Sequence, residues 1–215
     1  MRLRICVPSN RDHNPLFVAS LVALVQNHCV NGVMGHKLED LRVAIKSGVS
    51  NIANGRNDFI SESIEQGFTH VLFLDDDMMF PFDLVSCLGR HQKPVVAANC
   101  CRKDPNQLTY TAVGLDGIVV QSKGKKGLEQ IARVGTAVML IDLDAIKRIP
   151  FPLFELKWNR DKQRITGEDY HFCDLLRENG VDIFIDHGVS NCIGHIGNYV
   201  YMFDSYTAAK EAKTE

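Results

Sequence analysis

The run Val71-Leu72-Phe73-Leu74-Asp75-Asp76-Asp77 constrains this 215-residue chain more than any other. Four consecutive apolar side chains predict a strand buried on both faces, the kind that lies in the middle of a parallel sheet. Three carboxylates cannot follow it into the core unpaired, so the strand must end there. Packed carboxylates repel one another and raise each other's pKa unless a cation stands among them. Hard cations such as Mg2+ or Mn2+ take oxygen ligands, typically one or two carboxylates plus substrate phosphates. The carboxyl ends of parallel strands are also where α/β sheets bind ligands. Asp75 and Asp77 form a D-x-D whose alternate side chains leave the strand end on one side. The competing structural account is a solvated acidic turn capping the segment from Phe80 to Leu88.

Strand-like and helix-like segments alternate around that run. Leu3 to Val7 predicts a buried first strand, ended by Pro8-Ser9-Asn10. Pro15 to Val25 predicts a helix with proline in its first turn. Leu41 to Ile45 alternates as a strand and ends at Ser47-Gly48. Arg56 to Glu65 predicts a helix carrying Phe59, Ile60 and Ile64, with Gly67 as its stop. Val95 to Ala98 and Thr136 to Ile141 read as further buried strands, and Asp142 as the cap of a short helix ended by Pro150. Asp116-Gly117, between apolar residues, signals a hairpin over Leu115 to Val120. Residues 150–166 read as a mobile surface loop, 168–179 as a helix, Val181 to Asp186 as a strand, and 191–201 as irregular. The expected architecture is α/β: a mostly parallel sheet flanked by helices, with a small antiparallel hairpin region. One domain is expected over 1–215, with 203–215 as a frayed tail.

Net charge is -2 and the sequence pI is near 6.4, so bulk electrostatics predicts no polyanion partner. Lys123-Gly124-Lys125-Lys126 is the one obvious basic cluster. Seven cysteines, scattered and without a C-x-x-C pair, predict reduced thiols and a cytoplasmic location. The first apolar run is too short for a signal sequence, and no stretch approaches the roughly 18 apolar residues of a membrane span.

Three further places carry candidate chemistry. Arg56-Asn57, read as a helix start, sets a cation where the helix dipole favours anions. An anionic partner, a diphosphate or the aspartates themselves, would account for it, as would simple exposure. Gly167-Glu168-Asp169 opens the later helix, where two adjacent carboxylates suit a general base. Thr166-x-x-Asp169 also has the form of a capping box, a purely structural role. His195, flanked by Gly194 and Gly197, offers an imidazole as a third Mn2+ ligand beside carboxylates. His171-x-Cys173 with Cys192-x-x-His195 is a zinc alternative, although His171 and Cys173 are spaced more tightly than paired zinc ligands usually are. Buried free thiols account for both cysteines more simply.

Taken in order, these segments resemble the GT-A glycosyltransferases, especially the large inverting family that includes chitin and cellulose synthases. The likeness rests on Leu3–Val7 with Pro8-Ser9, on Gly55-Arg56-Asn57, and on the Val71–Asp77 run. It continues through Gly135-Thr136-Ala137-Val138-Met139, Gly167-Glu168-Asp169-Tyr170-His171-Phe172-Cys173 and Gly194-His195-Ile196-Gly197, and so covers most of the chain. It is similar to small stand-alone members from bacteria or bacteriophages.

The resemblance implies metal-dependent transfer of a sugar from a nucleotide-sugar donor, by default a UDP-sugar, to a hydroxyl acceptor with inversion. It implies that Asp75, Asp77 and His195 hold Mn2+ or Mg2+ and that Asp76 touches the ribose or donor sugar. Pro8, Ser9 and Arg56 would line the nucleotide pocket. Asp169 would be the base, Glu168 would position acceptor or donor, and Trp158 would close over the donor and stack on it. Ser47-Gly48 stands where many members carry an aspartate for the nucleobase, which leaves the base open. The acceptor is open too: a glycan, a lipid-linked glycan, a protein or a modified DNA base. A nucleotidyltransferase would use the same sheet-end carboxylates, but it usually carries a glycine-rich basic loop after the first strand. Pro8-Ser9-Asn10-Arg11 offers little of that. A non-catalytic nucleotide-sugar-binding module is the third possibility.

Overall fold

The computed structural model describes residues 1–202 except 11, 34–37, 49–50, 105–108 and 161–162; the expected tail, 203–215, lies outside the described residues. The first half of the chain gives β1 (Arg2–Pro8), α1 (Pro15–Asn31), β2 (Asp40–Lys46), α2 (Ile52–Glu65), β3 (His70–Leu74), β4 (Met78–Met79), α3 (Leu84–Gly89) and β5 (Val95–Ala97). The second half gives β6 (Leu128–Ile131), β7 (Val138–Asp142), α4 (Leu143–Ile146), β8 (Lys157–Asn159), β9 (Arg164–Thr166), α5 (Glu168–Glu178), β10 (Ile183–Asp186), α6 (His187–Cys192), β11 (Gly194–Ile196) and β12 (Val200–Tyr201).

Among the described residues, seven strands form one sheet in the order β2-β1-β3-β7-β5-β10-β6. β1 is parallel to β2 and β3, β10 is parallel to β5, and β7 runs antiparallel between β3 and β5. β6 closes the far edge antiparallel to β10. The fold is thus α/β with a mostly parallel sheet. A parallel return needs a crossover, usually a helix, and the described residues between β5 and β7 form none, which is where the direction breaks. Smaller antiparallel sheets, β12-β11-β4 and β8-β9, stand beside it.

The unbroken apolar run of β3 is explained by two cores. Val71 and Phe73 pack into one, and Leu72 and Leu74 into the other, all fully buried. β7 divides the same way, with Met139 and Ile141 on one side and Val138 and Leu140 on the other. A chain of aromatic contacts joins α2, β3 and α5 on one face. Phe59 meets Phe73 at 6.3 Å, Phe73 meets Phe154 at 5.7 Å, and Phe154 stacks on Phe172 at 4.3 Å.

Several local expectations are corrected. α2 begins four residues before Arg56, because the Asn51 side chain caps it by accepting from the Ala53 and Asn54 N–H groups. Residues 150–166 are not simply a surface loop. Leu153 and Phe154 are buried, and the segment continues as the β8–β9 hairpin. The Asn57 side chain pins the buried part, accepting from Leu153 and Phe154 N–H and donating to the Phe154 carbonyl. Residues 191–201 hold the end of α6 and two short strands. At Asp116-Gly117 a turn forms, with Gly117 at φ 80° and Gly114 N–H donating to the Ile118 carbonyl, but its flanks pair only by isolated bridges. All seven cysteines are free, and no helix among the described residues is long and apolar enough to cross a membrane.

Candidate functional site

The aspartates leave β3 in a tight turn. Asp75 N–H donates to the Ala137 carbonyl at 2.9 Å, and Met78 N–H donates back to the Asp75 carbonyl at 3.2 Å. β4 follows at once and pairs with β11, setting His195 opposite Met78, while Ile196 N–H donates to the Asp77 carbonyl at 2.6 Å. Backbone pairing, rather than side-chain affinity, thus carries His195 to the acidic turn from more than a hundred residues away. Gly194 permits that approach, since a Cβ there would collide with the Val200 side chain.

Each carboxylate of the turn has its own partners. Asp75 Oδ1 accepts from Arg56 Nη2 at 3.0 Å, and Arg56 Nη1 donates to Glu168 Oε1 at 2.8 Å. Asp76, nearly buried, accepts from Ser9 Oγ at 2.6 Å, with His13 Nδ1 at 4.0 Å. Ser9 follows Pro8 at the end of β1, and the parallel pairing of β1 with β3 brings these two ends side by side. Asp77 Oδ2 accepts from Lys103 Nζ at 2.6 Å, and its Oδ1 lies 3.4 Å from His195 Nε2. Arg56, in the second turn of α2, therefore owes its position to these two acids and not to a helix end.

Glu168 and Asp169 open α5, but no capping box forms. The cap residue is Gly167, with no side-chain cap bond, and Asp169 Oδ1 accepts instead from Tyr170 N–H at 2.7 Å. Glu168 bonds Arg56, while Asp169, near enough to feel the charges of Arg56 and Asp75, lines a cleft of about 250 Å³. Trp158 stands apart from both, 57% exposed on β8 and paired across the hairpin with Ile165, which does line that cleft.

Electrostatically the acids differ. Burial pushes Asp75 up, against the lowering pull of the Arg56 guanidinium. Burial would raise Asp77 as well, but hydrogen bonds from His195 and Lys103 outweigh it and hold that carboxyl well below the usual range. Burial, helped by the neighbouring charge of Glu168, raises Asp169.

The fit of a divalent cation can be judged from the donor set. His195 Nδ1 lies 2.8 Å from the Cys101 carbonyl, which can only accept, so Nδ1 carries a proton. Nε2, facing Asp77, then either carries a proton donated to that carboxylate or offers a lone pair to a cation. Two acceptors in contact require a proton or a cation between them, and a carbonyl-anchored imidazole beside carboxylates is an ordinary ligand arrangement for a metal. Arg56 Nε, His13 Nδ1 and Thr136 Oγ1 are buried without hydrogen-bond partners. As placed, no three His, Cys, Asp or Glu side chains converge on one point among the described residues. The donor types fit Mn2+ or Mg2+, while as placed Lys103 holds Asp77 and Arg56 holds Asp75.

The zinc alternative finds no support in the geometry. Cys173 is buried against Val134, its thiol pushed up to about 12 by burial, while Cys192 is exposed.

Sequence patterning did not single out Lys103, His13 or Arg102, and Tyr170 entered only as part of the Gly167–Cys173 run. The basic pair Arg102-Lys103 was the available signal, outweighed by the Lys123–Lys126 run. Lys125 of that run pairs with Glu129 on the surface.

No family model matches the chain, and no curated protein does. Solved structures do. A197 from STIV, a viral protein, superposes with a TM-score of 0.61 at 17% identity, over 92% of this chain and 86% of that one. GalNAc-T7, solved with UDP, GalNAc and Mn2+, matches with a TM-score of 0.56 at 8% identity, over 91% of this chain. This chain spans only 44% of that protein. At such identities the likeness speaks for the fold alone, and the fold is GT-A-like.

Proposed function

We propose that the chain is a metal-dependent glycosyltransferase that moves a sugar from a nucleotide-sugar donor, by default a UDP-sugar, to a hydroxyl acceptor with inversion. The observation that carries this is the pairing of Asp77 with His195 at the end of β3, joined through Asp75 and Arg56 to Glu168. The fold shared with GalNAc-T7, solved with UDP, GalNAc and Mn2+, supports it.

Asp75, Asp77 and His195 would hold Mn2+ or Mg2+, which supplies Lewis-acid neutralisation of the departing diphosphate. Pro8, Ser9 and Arg56 line the nucleotide side, and the Ser9 bond holds Asp76 ready for the ribose or donor sugar. Arg56 keeps Glu168 fixed relative to Asp75, so that Glu168 positions the substrates. Asp169 takes the proton from the acceptor hydroxyl as its oxygen attacks the anomeric carbon and the bond to diphosphate breaks on the opposite face. The raised proton affinity of Asp169 suits a general base, a contribution of roughly 10²–10⁴-fold in rate. Trp158, exposed on its hairpin, is free to stack on a sugar or base.

The test is a thermal-shift screen of nucleotide sugars with and without Mn2+, followed by a transfer or hydrolysis assay. A donor that raises Tm only with Mn2+, and loses that effect in Asp77→Ala, is expected. Full activity in EDTA would refute the metal-dependent mechanism.

A further inference from the structure

The cleft beside Asp169 has a chemical character of its own. Arg102, Arg133 and Arg164 all line it, and Asp169 is the one acid among its described lining residues. Tyr170 organises two of the three. The Arg133 guanidinium lies over its ring at 5.7 Å, and Arg102 hydrogen-bonds its hydroxyl, which in turn donates to the Thr111 carbonyl at 2.9 Å. Arg133 is neutralised by a two-pronged pair with Asp174 at 2.6 and 2.7 Å. Arg102 and Arg164 pair with no carboxylate among the described residues and are exposed. They leave an excess of positive charge at the mouth of a cleft with a carboxylate in its wall. At about 250 Å³ it lies below the roughly 300–1,000 Å³ of sites for drug-sized ligands, a space for one sugar ring or a similarly small group. Asp169 joins it to the acidic turn, since the charges of Glu168, Arg56 and Asp75 all act on that carboxyl.

From this arrangement we infer that the arginine-lined cleft is the acceptor site and that its acceptor is anionic, a hydroxyl compound bearing a phosphate or carboxylate about one sugar ring from the reacting hydroxyl. The inference rests on the transferase proposal for the identity of the reacting partner, but the charge requirement can be tested without turnover. The planar fork of arginine matches the oxygens of either group, and Asp169, facing the hydroxyl, repels the anion toward the arginines.

The test is calorimetric or NMR titration, with no donor present, of D-glucose, D-glucose 6-phosphate and D-glucuronate. The proteins are the wild type, Arg102→Gln/Arg164→Gln, Arg102→Lys and Asp77→Asn. At least one anionic sugar should bind about tenfold or more tighter than glucose, and the double variant should lose that preference. Which of the two anions wins identifies the group. Arg102→Lys should retain part of the preference and show that the double variant did not fail by misfolding, and Asp77→Asn should leave it intact. Equal binding of glucose and both anions, or an anion preference that survives the double variant, would overturn the inference. Because no donor is involved, absence of sugar transfer would remove the transferase proposal without altering this result.

Discussion

Arg56 Nη1 sits 2.8 Å from Glu168 Oε1, joining residues 112 positions apart, while its other amino group holds Asp75 at 3.0 Å. The arginine side chain is 3% exposed. One guanidinium thus ties the end of β3 to the start of α5, and with them the acids proposed for metal and acceptor.

Removing that guanidinium leaves two part-buried acids, 25% and 16% exposed, without their shared partner. Arg56→Met should cost about 3–5 kcal/mol in denaturant unfolding, the usual penalty for stranding buried charge. Arg56→Lys should rescue little, since a single ammonium cannot hold two carboxylates in a planar fork. Adding Glu168→Gln to Arg56→Met should recover part of the loss, because the pair is coupled. Single-variant stability equal to wild type would show that the bridge does not form in solution.

The bridge also separates what sequence could reveal from what it could not. β3 was legible because burial on both faces demands an unbroken apolar run, and charge cannot follow such a run without ending it. The acids of α5 and His195 were legible as types, but not their partners. That Glu168 bonds Arg56 while Asp169 lines the arginine cleft depends on where α2 and the β8–β9 hairpin lie, which no local pattern encodes. The start of α2 was misplaced because its apolar signal begins at Phe59, whereas its cap, Asn51, is a polar residue two turns upstream. Pro150, Pro152 and the charges that follow them read as a surface loop, and the burial of Leu153 and Phe154 depends on Phe154 finding Phe172 and on the three hydrogen bonds of Asn57. Lys103 stayed hidden because its role lies in the path of a loop.

Asp186 gives a prediction about acid. It is fully buried, caps α6 through Val189 N–H, and accepts from His91 and Arg90 at 2.7 and 3.0 Å. Burial raises its carboxyl, but those bonds prevail and its folded pKa lies below the ordinary value. A depressed folded pKa means that its stabilisation is fully present above the unfolded value of about 3.9 and is lost as pH falls through the folded one. Urea midpoints should therefore drop below about pH 4. Asp186→Asn should be less stable by about 2 kcal/mol at pH 7, with a flatter profile in the acid range. Parallel profiles for the two proteins would exclude Asp186 as a source of acid sensitivity.

Lys103 places its ammonium 2.6 Å from Asp77, on the carboxylate that a divalent cation would need. A bound cation must displace it or tolerate it at short range. Lys103→Met should therefore bind Mn2+ roughly tenfold tighter by calorimetry in the absence of nucleotide, since a competing charge has gone. Weaker or unchanged Mn2+ binding would make Lys103 the resident cation of a site that works without metal.

Gly194 tests whether backbone pairing is what delivers His195. A methyl there would strike the Val200 side chain and crowd Met79 at 3.2 Å. Relieving the contact means displacing the Val200 side chain on β12 and spreading β11 from its neighbours. Gly194→Ala should lose about 1–3 kcal/mol, the cost of overpacking a fitted contact. Because the spread moves β11 away from β4, it should also weaken Mn2+ binding, although no charged group has been touched. Val200→Ala added to it removes the atoms that collide, and should restore both stability and metal affinity toward wild type. If Gly194→Ala loses stability but keeps full Mn2+ affinity, His195 does not depend on this pairing for its place beside Asp77.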